Sequence, residues 1–166
     1  MPSQVESILN ELRDEAPATR RVLERVPADK LSWKPHPKSR SLGELAMHVA
    51  NIPGMADKIA NYPEFSPSAV PPPAPKTVAE ICAAFDNHMR TAEQALSVLN
   101  EQSAAADWRL VFRGKEVLRR PRLAALRTNM LNHLYHHRGQ LSVYLRLLNV
   151  PLPVVYGPTA DENPFA

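Results

Sequence analysis

The sequence predicts an all-α protein, a four-helix bundle with a long crossover between helices two and three and a small β-hairpin before helix four. Two observations carry this. Four long segments repeat apolar residues at the 3.6-residue period of an amphipathic helix, and two Ser/Thr-x-x-Glu capping boxes mark where two of them begin. Composition removes the main alternatives. The 166 residues are 44% hydrophobic and 22% charged, ordinary for a globular chain and too apolar for a disordered one. The glycines (Gly43, Gly54, Gly114, Gly139 and Gly157) are never closer than eleven residues. A Walker loop or a dinucleotide fingerprint needs clustered glycines to bring backbone N–H groups against phosphates, so both are excluded. One domain over residues 1–166 is expected.

The elements follow in order. Residues 3–26 place Val5, Ile8, Leu12, Ala16, Leu23 and Val26 on one stripe, which makes the first helix. A proline-bearing loop, KPHPKSR at 34–40, leads to the Ser41-to-Glu44 capping box. The second helix runs from there to about Ala60, with Leu45, His48, Val49, Ile52, Met55 and Ile59 in one arc. Pro53 lies inside it, donates no N–H and crowds the carbonyl of Val49, so a kink is expected beside His48. Six of the thirteen residues from Pro63 to Pro75 are proline, and the stretch reads as an extended crossover, neither helix nor strand. Thr77 to Glu80 is the second capping box, and the third helix follows to about Asn100, with Ile81, Phe85, Met89, Ala92 and Leu96 inward. In residues 107–119 Gly114 separates two short apolar runs, a hairpin signal. Pro121 suits the first turn of the fourth helix, which extends to Leu148 and stops before Asn149 and Pro151.

The fourth helix holds the strongest chemical signal, NHLYHHRGQL at 132–141. On a helical wheel with Met130 at zero, His133 falls at about −60° and His137 at about −20°, inside the arc expected to face the core, while His136 falls at about −120°. Two imidazoles at i and i+4 are one turn apart and can converge on one ion. His48, about 40° from Ile52 on the second helix, is a third candidate from another core-facing seam. A lone core-facing histidine is more often a hydrogen-bonded packing residue, but two at ligand spacing gain little from lying side by side without a shared partner. His48, His133 and His137 are therefore the expected metal ligands. Position 134 is Leu where a zincin has its Glu base, and no Glu-x-x-His pairs of a di-iron bundle are present, so a single metal is expected. Imidazole suits zinc, nickel, copper or iron.

The segments SLGELAMHV (41–49), NHLYHHRGQLSVYLR (132–146) and VPLPVVYGPTADE (150–162), with RVPADKLSWKPHPKSRSLGEL after the first helix, resemble the DinB-like proteins. These are damage-inducible four-helix-bundle proteins, distinct from the polymerase that shares the symbol. The resemblance covers nearly the whole chain, and its most specific part is His-x-x-x-His-Arg-Gly-Gln. It implies a metal triad of one histidine from the second helix and two from the fourth, matching His48, His133 and His137. It also implies kinship with bacillithiol- and mycothiol-dependent transferases and isomerases. One divalent metal is thus expected, zinc or nickel first and iron or manganese as alternatives, with a low-molecular-weight thiol as a candidate cofactor.

Further residues are candidates for the site wall or substrate contacts. His88 lies at the edge of the third helix's arc, a solvated flank being the blander reading. Glu44, one turn before His48, is a weak candidate base. Gln140 could orient a ligand or substrate, and Arg138 could bind an acid or pair with a carboxylate on a neighbouring helix. No catalytic residue is identified. His36 reads as a loop histidine, Cys82 as a small hydrophobe, and Trp33, Trp108 and Tyr144 as packing residues. Seven basic residues from Arg109 to Arg127 face the single acid Glu116 within that stretch. A solvated surface is the expectation there, not a specific nucleic-acid site. One cysteine and no long apolar run point to the cytoplasm and no membrane. A small-molecule substrate and a second copy of the chain are the expected partners. Two functions stay open: a metal-dependent transferase or hydrolase acting on a small electrophile, and a non-catalytic, metal-stabilised stress-response or interaction module.

Overall fold

The computed structural model describes residues 2–165. Helix α1 spans Gln4–Glu24 and opens with a capping box between Ser3 and Glu6. Helix α2 spans Leu42–Asn51, and its predicted box is formed: the Glu44 N–H donates to Ser41 Oγ and the Ser41 N–H to Glu44 Oε2. The predicted second helix is then interrupted, not merely kinked. A 3-10 turn over Ile52–Gly54 separates α2 from α3, Met55–Asn61, because Pro53 cannot donate to the ladder and the chain tightens around it. Helix α4 spans Val78–Ser97 behind the Thr77 cap, and a short α5, Glu101–Ala105, follows where no helix was expected.

The last helix carries a larger departure. Helix α6, Arg122–Ala125, passes into a π-helical segment, Leu126–Asn132, and then into α7, His133–Leu147. A π turn holds more residues than an α turn, so a single 100° step cannot phase both halves of the helix. The buried residues of α7 are Leu134, Arg138, Leu141 and Leu145. On the Met130 wheel these centre near +50°, leaving His133 and His137 at the margin of the buried face by about 110° and 70°. Arg138 is among the buried residues.

Side-chain pairs give the helix directions. Arg13 meets Glu93 and Arg20 meets Asp86, so α1 and α4 are antiparallel. His48 meets His133 while the Tyr144 hydroxyl reaches the Arg40 carbonyl, so α2 and α7 are antiparallel. Glu11 meets Tyr135 and Thr19 meets Arg138, so α1 and α7 run parallel. Helices α2 and α4 are therefore parallel neighbours, which requires the long crossover that the prolines supply.

Its first residues correct the expectation of no strand there. Strand β1, Glu64–Phe65, pairs in parallel with β2, Asp107–Phe112, which is antiparallel to β3, Lys115–Pro121. The open edge of β2 accepts any extended backbone, and pairing needs no particular side chain. The hairpin itself forms as predicted, with Arg113 and Gly114 both at positive φ in its turn. Trp108 on β2 is fully buried, and its indole N–H donates to the Lys58 carbonyl, tying the sheet to α3. Leu12, Leu23, Leu45, Ile81, Phe85 and Leu126 fill the bundle core.

Candidate metal centre

His48 comes from the last turn of α2, and His133 and His137 from the first turns of α7. The antiparallel packing of these helices brings the three rings together. Ring centroids are 4.9 Å apart for His48 and His133, 4.4 Å for His48 and His137, and 4.7 Å for His133 and His137. One nitrogen from each lies within 4.8 Å of the other two, and the Nε2 atoms of His48 and His133 are 3.1 Å apart. Two nitrogens each about 2.1 Å from one ion and subtending about 95–109° would be about 3.1–3.4 Å apart, so the spacing fits a shared metal. All three rings are half-buried, not enclosed in the core as the arcs predicted.

The chemical state fits as well. Burial, then the field of Arg40, then the neighbouring imidazoles push His48 down to about 3. Burial likewise holds His133 and His137 below the ordinary histidine value. Neutral rings present lone pairs, which is the form a metal takes. One ring is also held from behind. His137 Nδ1–H donates to Gln140 Oε1 at 2.7 Å. Such a bond sets the tautomer and aims the opposite nitrogen. His136 is exposed and outside the cluster, as the wheel predicted.

The remaining candidates separate. Gln140 reaches the cluster, whereas Arg138 does not. Arg138 is 3% exposed and turned toward α1, with Glu15 at 2.6 Å, Thr19 Oγ1 at 2.8 Å and the Tyr156 hydroxyl as partners. Of its two expected roles it takes the carboxylate pair. Glu44 lies on the wall of a cavity shared with His48, but its carboxylate caps α2 and is held below the usual range by the Ser41 N–H, making it a poor proton acceptor. His88 is half-buried, with Nδ1 3.3 Å from the Ala50 carbonyl, and it packs over Gly54, where a Cβ would stand 2.7 Å from its ring. It is neither a solvated flank residue nor a member of the cluster. His36 is exposed in its loop, and Cys82 is buried with its thiol pKa raised by burial.

The cavity itself was not foreseen. It measures about 580 Å³ and lies between the outer face of α2 and the proline-rich crossover. Lys38, Arg40, Glu44, Met47, His48 and Phe65 line one side and residues 67–75 the other. The KPHPKSR passage was the available signal, since it places two cations just before the helix that carries His48. In the basic stretch at 109–127 three of the seven basic residues meet acids: Arg109 meets Glu64, Arg119 meets Asp107 and Glu116, and Arg127 meets Glu11. Arg122 donates to backbone carbonyls, including that of Ile59.

Comparison with known proteins agrees with this architecture. The family model described as the DinB family matches residues 1–163. The protein YrdA of Bacillus subtilis strain 168, described as uncharacterized, is 24% identical over 148 residues, covering 89% of this chain and 85% of its own. The crystal structure of a DinB-like protein from Bacillus cereus superposes with a TM-score of 0.72 at 24% identity, covering 91% of this chain and 97% of that one. A Bacillus subtilis DinB-like protein, YjoA, superposes with a TM-score of 0.66 at 20% identity, over 90% and 96%. No helix among the described residues is long and apolar enough to cross a membrane.

Proposed function

Because the chain belongs to the DinB family, we propose that it is a metal-dependent enzyme, a thiol S-transferase or a hydrolase, acting on a small electrophilic substrate. The observation that carries this is the opening of the histidine cluster onto a cavity. His48 is both a member of the triad and part of the cavity wall. A purely structural site closes its coordination with protein groups, and the cluster holds three histidines with no fourth protein ligand among the described residues. A divalent ion bound there would supply Lewis acidity, lowering the pKa of a thiol or water so that it reacts near neutral pH. The chain's own residues do the rest. His48, His133 and His137 present neutral nitrogens, Gln140 aims that of His137, and the apolar part of the cavity lining (Met47, Phe65 and the prolines) keeps water from the substrate body.

The experiment is metal analysis of purified protein and of single alanine variants, followed by a thiol-transfer and ester-hydrolysis screen. One divalent ion per chain is expected, lost in His48→Ala, His133→Ala and His137→Ala and kept in His136→Ala. Equal metal in all four variants would refute the triad. Full metal with no thiol or hydrolytic activity would instead favour the non-catalytic module.

A further inference from the structure

Most arginines of this chain carry a carboxylate: Arg20 has Asp86, Arg25 has Glu162, Arg127 has Glu11 and Arg138 has Glu15. Arg40 is different. It is exposed, lines the cavity beside His48, and forms no ion pair among the described residues. Its position is nevertheless fixed. Ser41, the next residue, is the N-cap of α2, and the Arg40 carbonyl accepts from the Tyr144 hydroxyl of α7 at 3.3 Å. The Tyr144 ring in turn stands edge-on to Trp33 at 5.7 Å. Lys38 lies on the same wall. The one acid lining the cavity, Glu44, has an oxygen committed to the Ser41 N–H. Much of the remaining lining is apolar: Met47, Phe65, Val70 and the prolines of the crossover.

We propose that Arg40, assisted by Lys38, is the anchor for an acidic group of the substrate, and that the cavity selects amphipathic anions with a carboxylate, sulfonate or phosphate at one end and an apolar body. This rests on the reading of the His48, His133 and His137 cluster as the reactive end. A guanidinium donates two parallel hydrogen bonds to such oxygens. A pocket of this size takes a small-molecule body, since ligand sites run about 300–1,000 Å³. The cluster contains no carboxylate to oppose an anion. Arg40 and His48 line the same cavity, so an anion held by Arg40 lies within reach of the site.

The test is a fluorescence titration of the full chain with 8-anilinonaphthalene-1-sulfonate and with its neutral, desulfonated analogue N-phenyl-1-naphthylamine. Both are measured in chelator-treated and in zinc-supplemented protein. The sulfonate is expected to bind about tenfold more tightly than the neutral probe. Arg40→Gln removes that difference and leaves the neutral probe within twofold, Lys38→Gln removes a smaller part, and Arg113→Gln, remote on the hairpin, changes neither. Met47→Glu weakens both probes, which localises them to the cavity. Equal affinity of the two probes for the parent protein, sulfonate binding unaltered by Arg40→Gln, or insensitivity of both probes to Met47→Glu would each overturn the proposal. Metal content separates this from the proposed function. Arg40→Gln keeps its metal if the triad is right, and chelator-treated protein keeps its preference for the sulfonate if the anchor is right.

Discussion

Replacing Arg138 by Met tests whether this arginine, one residue from His137, belongs to the chemistry or to the scaffold. The side chain is 3% exposed and sits between Glu15 at 2.6 Å, Thr19 and the Tyr156 hydroxyl. Removing one member of a buried ion pair costs about 3–5 kcal/mol, because the other charge stays desolvated. The Glu15 side chain is 16% exposed, so water recovers part of that loss, and about 2–4 kcal/mol is the working figure. At about 2–4 °C per kcal/mol for a chain of this size, Tm should fall by about 4–16 °C. Glu15→Leu added to Arg138→Met should restore much of the loss, since an apolar pair leaves no orphaned charge. Thermal unfolding of the single and double variants is the assay, with metal content measured on the same samples. Should Arg138→Met unfold outright, Glu15→Gln gives the milder comparison. A Tm within about 1 °C of the parent would refute the scaffold assignment, as would loss of metal without loss of stability.

Other expectations follow from the site and the surface. Gln140→Leu deletes the acceptor behind His137 Nδ1, and loss of such a partner typically weakens metal affinity by about 10–100-fold; competition with a chromogenic chelator reads this, and unchanged affinity contradicts the orienting role. In metal-free protein the triad's folded pKa values lie below the unfolded value of about 6.5. The unfolded chain therefore takes up protons first, and stability is full above about pH 6.5 and declines as pH falls from there toward the folded values. The limit is about 1.4 kcal/mol per pH unit per ring, and a few tenths is expected for half-exposed groups. Urea midpoints of chelator-treated protein between pH 7.5 and 5 should fall, less steeply in His48→Ala, and a rise toward acid would be the wrong sign. The hairpin's basic charges, of which Arg109 and Arg119 are paired with acids, predict weak DNA binding that vanishes with added salt, and sequence-selective binding surviving high salt would contradict this.

The parts of the fold that were legible in the sequence depend on local rules. The Ser41 and Thr77 caps, the Gly114 turn and the crossover prolines each act within a few residues, and each is where the spacing placed it. The triad was legible because i, i+4 spacing survives in α7 whatever precedes it. The π-helical segment, which packs against α1 and α3, was not, since it leaves no composition signal. A 100° step carried through it misphases α7, and the predicted arc placed the histidines too deep. Nor was β1 legible, because parallel pairing with β2 depends on two segments more than forty residues apart. The cavity was hidden for a related reason. A proline-rich stretch looks like a connector until the fold lays it beside α2.

The π-helical segment also explains how one helix serves two seams. Downstream of it, Leu134, Arg138, Leu141 and Leu145 face the core and α1, while His133 and His137 face α2. The Arg138–Glu15 pair belongs to the first seam and the triad to the second, so stability and site chemistry rest on different faces of α7. A buried face demands complete satisfaction of polar groups, and Arg138 meets that demand with three partners. A reactive face needs lone pairs left free and a path to solvent, and half-buried imidazoles beside a cavity meet that one. The two demands conflict on one face and are compatible on two.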